Sequence, residues 1–247
     1  MTKITIKNKI LLLFIVGLLF TQLTFAQTKT KKNSSPPPPP SPSPFSPSLI
    51  LNWQTNNFVP STYEGKILPT NGSTIYLSLI AKNNDTVIDL SNSLILWYLD
   101  GDFYDGGVGQ TNMQFKVTKV ANNFHFVSVN VSISQPDGSS RVLTQSVNIP
   151  IINPQVVINV PYTNIPSNSS VSLSAIPYFF NIQSLDDLSF NWKITTPLET
   201  QNASGDNTIT INTNDYLKGK QINVALQTQN NKNPFEFAKN QTTLYVQ

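Results

Sequence analysis

The single histidine is the first residue to consider as a catalyst. The chain of 247 residues contains one His, His125, and no Cys. A Ser-His-Asp hydrolase needs a base that is oriented beside a nucleophile, and a zinc site needs several His or Cys ligands. His125 has the parity of Val127, Val129 and Val131, which predicts a place at the end of a core strand or at its rim. The sequence therefore predicts no catalytic, cofactor or metal role here.

Three aspartates form the only acidic cluster that resembles a cation loop. Asp100, Asp102 and Asp105 lie close together, and clustered oxygens suit a hard cation. An EF-hand pattern needs a further oxygen ligand at position 104, which is Tyr104. We interpret the cluster as a solvated turn and leave cation binding open. A glycosidase would need a second carboxylate opposite the first, and no such cluster can be placed. The prediction is not an enzyme, and a hydrolase with an unrecognised site is the alternative.

The N-terminus has the pattern of an export segment. Lys3, Lys7 and Lys9 precede an apolar run that begins at Ile10, and small residues end at Ala26. Residues 1–26 are therefore predicted to be a signal peptide, cleaved after Ala26, or an N-terminal membrane anchor. Residues 10–26 reach only the lower limit of a membrane span, so cleavage stays open.

A proline-rich linker is predicted over residues 27–48. Residues 34–47 are mostly Pro and Ser, which favours a polyproline II rod about 40 Å long. A stiff spacer favours a retained anchor, whereas Lys29, Lys31 and Lys32 argue against it, because basic residues favour the cytoplasmic side. The alternative is a docking ligand for a proline-binding module.

The basic charge belongs to the N-terminal part of the chain. The net charge is +3, but six of the sixteen Lys and Arg residues precede residue 49, whereas all thirteen Asp and Glu residues follow it. The remaining charges of both signs are scattered. Nucleic acid is therefore not expected as a partner.

An internal repeat of 95 residues divides the rest of the chain. Trp97 aligns with Trp192, and the neighbouring apolar positions advance by two in both copies. The other matched sets are Ile95 and Leu99 with Phe190 and Ile194; Val127, Val129 and Val131 with Ile222, Val224 and Leu226; Ile149 and Ile151 with Leu244 and Val246; and, with one residue of slip, Ile75, Leu77 and Leu79 with Val171, Leu173 and Ala175. A period of two predicts core-facing strand positions. Two domains are predicted, over residues 49–152 and 153–247, and residues 135–138 predict a hairpin in the first.

Each copy resembles a cysteine-free bacterial immunoglobulin-like domain, with a Trp in its third strong strand at Leu94–Leu99 and Leu188–Ile194. The stretch Trp97–Asp102 is similar to the Trp strand and Asp-Gly turn of PKD-type domains, whereas the second copy lacks the turn. The resemblance implies an all-β protein of two tandem antiparallel β-sandwiches, of bacterial surface type, after an N-terminal hydrophobic helix and linker.

The outward positions differ between the copies. Ser189, Asn191 and Lys193 are polar, as a half-buried sheet requires. The first copy instead presents five apolar residues that share one predicted sheet face: Leu94, Leu96, Tyr98, Phe124 and Phe126. An exposed apolar face predicts an interaction site. Alternatively, the long segment Phe58–Pro69 folds over it.

The sequence thus predicts a non-enzymatic, exported cell-surface or periplasmic protein that serves as an adhesion, interaction or spacer module. Its partner would be a protein or glycan at the cell surface, and the membrane if the N-terminal segment is uncleaved. If that segment is cleaved, the protein would be secreted or periplasmic. A second hypothesis is carbohydrate binding, with Tyr63, Tyr98, Phe103 and Tyr104 stacking on sugar rings.

Overall fold

The computed structural model describes residues 45–247, which fold almost entirely into antiparallel β-strands. Helix within this range is limited to two short 3-10 segments, Leu185–Asp187 and Asp215–Leu217. The all-β prediction is confirmed. The predicted export or anchor segment and most of the proline-rich linker lie outside the described residues.

Between residues 45 and 247, no helix has the length and apolar character needed to cross a membrane.

The first domain is a sandwich of two four-stranded sheets. Its strands are β1 (Pro47–Thr55), β2 (Thr74–Asn83), β3 (Thr86–Ile88), β4 (Leu94–Leu99), β5 (Asp102–Val108), β6 (Asn112–Lys116), β7 (Asn123–Ser134) and β8 (Ser140–Ile151). One sheet has the order β1-β2-β3, with β6 also paired to β2, and the other has the order β5-β4-β7-β8. Placing β4 beside β7 is the crossover arrangement of an immunoglobulin-like sandwich.

The second domain repeats this arrangement. Its strands are β9 (Gln155–Asn159), β10 (Asn164–Ile165), β11 (Ser170–Tyr178), β12 (Leu188–Thr195), β13 (Thr200–Ser204), β14 (Thr208–Asn212), β15 (Gln221–Asn230) and β16 (Asn233–Val246). The two sheets have the orders β14-β11-β9 and β10-β16-β15-β12-β13. Strand β12 lies beside β15 as β4 lies beside β7, so the chain contains two tandem immunoglobulin-like sandwiches.

The inward positions of the repeat form two hydrophobic cores, one in each domain. Trp97 and Trp192 lie at the centre of them and are almost completely buried. The indole N–H of Trp97 donates to the carbonyl of Gln110 at 2.9 Å, and that of Trp192 donates to the carbonyl of Asp206 at 3.1 Å. The acceptors lie at matching points of the two domains, so the repeat extends to this hydrogen bond.

The predicted turns lie where the chain reverses. Gly138 has a φ of 84° between β7 and β8, and Asp100 and Gly101 have φ of 56° and 99° between β4 and β5. Two successive residues with positive φ match the right-handed twist of the paired strands, and Asp tolerates this conformation better than most residues. Hence the Asp-Gly turn forms a tight hairpin.

The segment between β1 and β2 packs against the second domain. The amide of Phe58 donates to the carbonyl of Phe180 at 2.7 Å, and the amide of Phe179 donates to the carbonyl of Phe58 at 2.6 Å. The ring of Tyr63 lies edge-on to Phe179, with 5.5 Å between ring centroids. This segment therefore does not fold over the outer face of the first domain, and the alternative prediction for Phe58–Pro69 is wrong.

Buried polar groups join the two domains at the same junction. The side-chain amide of Asn57 donates to the carbonyl of Phe179 at 2.7 Å. Glu236, which is 5% exposed, accepts hydrogen bonds from the hydroxyl of Thr70 at 3.1 Å, the amide of Asn181 at 2.7 Å and the side chain of Asn230 at 2.7 Å. Because a buried carboxylate is costly without partners, these bonds favour one fixed arrangement of the junction.

Candidate functional site

The five predicted face residues lie on one side of the sheet β5-β4-β7-β8. Strands β4 and β7 are adjacent, with Leu96 opposite Asn130 and Tyr98 opposite Ser128. Leu94 is 45% exposed and Phe124 is 52% exposed, Phe126 is exposed, and Leu96 and Tyr98 are half-buried. The structure therefore places all five residues on one side of one sheet. Because Ile95 lies opposite Val131, Leu94 is about 20 Å along the strands from Phe126, and Leu96 and Tyr98 lie between them.

Phe103 also belongs to this surface. In the sequence analysis it was predicted only as a residue that stacks on sugar rings. It lies opposite Tyr98 on β5, is 60% exposed, and packs edge-on against Tyr98 with 6.0 Å between centroids. An irregularity in the pairing after Trp97 brings Phe103, and not Tyr104, opposite Tyr98. We call the surface formed by Leu94, Leu96, Tyr98, Phe103, Phe124 and Phe126 the apolar face.

The alternation of the strands determines which side chains reach this surface. Ile95 and Trp97 point into the core, so their neighbours Leu94, Leu96 and Tyr98 must point outward. The outward positions of β7 beyond the aromatic pair are Ser128, Asn130 and Ser132, which are uncharged. The centre of the apolar face thus carries hydrophobic groups beside neutral polar groups.

Asp100 anchors the hairpin that carries Phe103 to the strand that carries Phe126. Its carboxylate accepts hydrogen bonds from the amide of Phe126 at 3.0 Å, from Lys119 Nζ at 2.7 Å and from His125 Nδ1 at 2.7 Å. Burial by itself would raise the pKa of Asp100, but the hydrogen bonds from Lys119, the Phe126 amide and His125 outweigh it and lower the pKa below its ordinary value. The cluster is a structural clamp at one edge of the apolar face.

His125 is a core residue of this clamp. Its ring is buried and lies edge-on to Phe115, with 5.0 Å between centroids. The Nδ1 atom donates to Asp100, and Nε2 is buried without a hydrogen-bond partner in the described part of the chain. Neither nitrogen is presented to a substrate from solvent, which fits the structural role that the sequence favoured.

The aspartates of the predicted turn do not converge. Asp100 directs its oxygens to Lys119, His125 and the Phe126 amide, whereas Asp105 accepts from the amide of Gly106 at 2.8 Å and from Gln110 at 2.5 Å. Over residues 45–247, no three His, Cys, Asp or Glu side chains are grouped so that they could hold a metal ion. The arrangement is that of two separate turn-stabilising carboxylates.

The four aromatic residues of the carbohydrate hypothesis also separate into different environments. Tyr63 packs at the domain junction, and Tyr104 packs edge-on against Phe115 with 6.3 Å between centroids. Tyr98 and Phe103 remain together, but their planes are inclined by 80°. These four residues therefore do not form a flat stacking platform.

No protein-family model matches the chain, and no curated protein sequence is similar to it. Several solved structures of tandem domains align with the chain at low identity and low TM-score. The three N-terminal domains of the Highly Immunogenic Outer Capsid protein (Hoc) of bacteriophage RB49 align with 12% identity and a TM-score of 0.32, covering 81% of this chain and 70% of that one.

Two further structures show the same class of likeness. The fibronectin(III)-like modules of Clostridium thermocellum CbhA align with 10% identity and a TM-score of 0.27, covering 80% of this chain and 94% of theirs. The FN1–FN3 domains of chicken CNTN1 align with 10% identity and a TM-score of 0.32, covering 73% and 64%. The fold assignment rests on the strand order and register described above, which make both domains immunoglobulin-like β-sandwiches.

Proposed function

We propose that this chain is a non-enzymatic, exported immunoglobulin-like protein of the cell surface or periplasm, and that its first domain binds a protein partner through the apolar face. The observation that carries the proposal is an exposed, uncharged hydrophobic surface at a position where the second domain is polar. An exposed hydrophobic surface lowers the solubility of a protein, and it is typical of an interaction site that a partner covers.

The chemistry of the face fits a protein with an apolar, uncharged patch. Aromatic side chains dominate the centres of protein interfaces, and charged residues are depleted there. Burying one exposed Phe or Leu contributes about 1.5–3 kcal/mol, so Leu94, Phe103 and Phe124 together could provide a useful affinity. The ion pair between Lys119 and Asp100 lies at the edge of the face, where a polar rim belongs.

A glycan fits this face less well. Sugar hydroxyls require several donors and acceptors close to the stacking ring, whereas the residues opposite Tyr98 are Phe103 and Ser128, of which only Ser128 is polar. The two aromatic planes are nearly perpendicular, so one sugar ring cannot lie flat on both. The face therefore favours a protein over a carbohydrate.

The domain junction supports the spacer part of the proposal. The backbone of Phe58 donates one hydrogen bond to Phe180 and accepts one from Phe179, and Asn57 and Glu236 add buried side-chain bonds. Two domains joined in this way move less relative to each other than domains on a flexible linker, as a spacer requires. The proline-rich segment would extend the spacer, and the N-terminal segment would export or anchor it.

The binding test compares one substitution at equivalent positions of the two domains. The partner is first identified by cross-linking from a photoreactive residue placed at Ser128, and its Kd is then measured with purified proteins. Leu96→Lys should weaken binding by about a hundredfold, because the partner would bury an unpaired charge. Asn191→Lys, 95 residues later, should leave the Kd unchanged. Equal affinity of the two variants, or a loss of cooperative unfolding in Leu96→Lys, would refute the proposed binding face.

Export is tested separately. Cells that produce the C-terminally tagged chain are fractionated, the membranes are washed at alkaline pH, and the N-terminus of the recovered protein is sequenced. A retained anchor gives full-length protein in the washed membrane, whereas a cleaved signal gives a soluble extracytoplasmic protein that begins at Gln27. Recovery of the full-length chain from the cytoplasm would exclude export.

A further inference from the structure

The second domain carries a groove on the face that corresponds to the apolar face of the first. It is formed by the outward side of β13-β12-β15-β16 and has a volume of about 690 Å³. Ala225 forms its floor, with Lys193 opposite on β12 and Gln241 opposite on β16. One rung along the sheet, Asn191 and Lys239 flank Gln227 in the same way.

The groove follows from the sizes of these side chains. Outward positions on neighbouring strands stand side by side, so the short side chain of Ala225 leaves a depression between the long side chains of Lys193 and Gln241. Asn202 on β13 extends the same row toward the sheet edge. The groove therefore runs across the strands and is bordered by amides and lysines.

The charge of this groove has one sign. Lys193 and Lys239 line it, and no Asp or Glu is among its lining residues. The ion pairs of residues 45–247 use Lys119, His125 and Lys232 as the cations, so neither groove lysine has an acidic partner. Their register places them two strands apart and two residues out of step, which corresponds to about 12 Å between Cα atoms.

Amide side chains make the groove suited to a ligand with many hydroxyl groups. Each Asn or Gln both donates and accepts, which matches a hydroxyl that does the same. Strand β16 also presents Phe237 and Tyr245 on this face, on either side of Lys239 and Gln241 along the strand, and both rings are exposed. Neither ring lines the groove itself, but Lys239 Nζ lies 5.7 Å from the centroid of the Phe237 ring, so a sugar bound at Lys239 would lie beside an exposed ring that can pack against its apolar face.

We propose that this groove binds an acidic polysaccharide, with carboxylate or sulfate groups on Lys193 and Lys239 and sugar hydroxyls on the amides between them. The site lies on a different domain from the apolar face and does not depend on a protein partner binding there. Two lysines are too few to follow a nucleic-acid backbone, whose binding depends on many phosphate contacts. The backbone of an acidic peptide also bonds to amide side chains, so the exposed rings beside the lysines are what favours a sugar, and a peptide of equal charge is one of the comparison ligands.

The test uses calorimetric titration of the full chain with a galacturonate oligosaccharide. A neutral maltooligosaccharide of equal length and a polyglutamate peptide of equal charge are the comparison ligands. Lys193→Ala and Lys239→Ala should each weaken galacturonate binding about tenfold, since each removes a hydrogen bond between charged groups. The matched control removes two exposed lysines of the same domain outside the groove, with Lys218→Ala and Lys220→Ala, and should not change the affinity.

A second variant separates shape from charge. Ala225→Leu keeps both lysines and fills the floor, so it should weaken galacturonate binding at least as much as the loss of one lysine, with thermal unfolding measured to confirm the fold. The proposal is overturned if galacturonate does not bind, if the neutral oligosaccharide or the peptide binds equally well, or if the control pair has the same effect as the groove pair.

Discussion

The Trp-containing strands β4 and β12 are alike on their inward side, which is apolar in both domains, and differ on their outward side. Ile95 and Trp97 in β4 correspond to Phe190 and Trp192 in β12, and all four are buried. The outward residues are Leu94, Leu96 and Tyr98 in the first domain, but Ser189, Asn191 and Lys193 in the second. The inward set preserves the fold, whereas the outward set is free to diverge toward different ligands.

The two faces also differ in shape. The apolar face is built from large side chains on β4, β5 and β7, whereas the corresponding surface of the second domain has Ala225 at the centre of a groove. A surface without charge excludes water when an apolar partner covers it, and a groove with amides and lysines retains polar contacts with its ligand. If both proposals hold, one fold supports two kinds of recognition.

The largest expected effect is the loss of stability when the buried tryptophan that both domains share is replaced. Trp97→Ala and Trp192→Ala should each destabilise their own domain by about 3–5 kcal/mol, because each leaves a cavity in the core and removes the indole hydrogen bond. The measurement is urea-induced unfolding of the full chain, followed by fluorescence. If one substitution were tolerated, the two cores would not be equivalent.

A smaller loss is expected where the domains meet. Asn57 is buried and bonds to Thr55, Thr70 and the carbonyl of Phe179. Asn57→Ala should lower the free energy of unfolding by about 2 kcal/mol, because it leaves buried partners unsatisfied. The same change at exposed Asn191 is the control and should have little effect. Equal stability of the two variants would mean that the junction contributes little.

The smallest expected effect is the contribution of Asp100, in the first domain, to the pH dependence of stability. The pKa of Asp100 is lowered in the folded state, so its contribution is present above the unfolded pKa of about 3.9 and is lost as the pH falls through the folded pKa. Since the group is partly exposed, the contribution should be about 1 kcal/mol or less. Melting curves from pH 6 to pH 3 should show a weaker acid dependence in Asp100→Asn than in the parent.

Asp187 in the second domain provides a comparison for Asp100. Asp187 also has a lowered pKa, chiefly because of its hydrogen bond with Lys232, followed by that with the amide of Gln183. It lies in a surface turn and not beside the apolar face. Asp187→Asn should therefore reduce acid dependence without any effect on partner binding, whereas an unchanged acid dependence in Asp100→Asn would mean that its clamp contributes nothing to stability.

The sequence predicted the cores and the apolar face because both depend on local alternation. A period of two determines which side of a strand a residue occupies, and the 95-residue repeat aligned Trp97 with Trp192 before any pairing was known. Phe103 was harder to place, because the irregular pairing after Trp97 shifts the parity of β5. A bulge of that kind has no clear signal in the residues themselves.

The junction could not be predicted from alternation at all. In β16 the apolar residue Phe235 is 92% exposed and the charged residue Glu236 is 5% exposed, the reverse of the expected order. The hydrogen bonds from Thr70, Asn181 and Asn230 make this inversion favourable, and two of the donors, Thr70 and Asn181, are distant from Glu236 in the sequence. The groove was missed for a similar reason, since it needs the register of three strands around Ala225.

The most direct test of the account exchanges the outward residues of the two domains. Leu94→Ser, Leu96→Asn and Tyr98→Lys together give β4 the surface of β12 while the inward residues stay unchanged. Titration of the purified partner against this triple variant should show binding lost by about a hundredfold or more, with the free energy of unfolding changed by about 1 kcal/mol or less. Unchanged partner affinity in a folded triple variant would contradict the account.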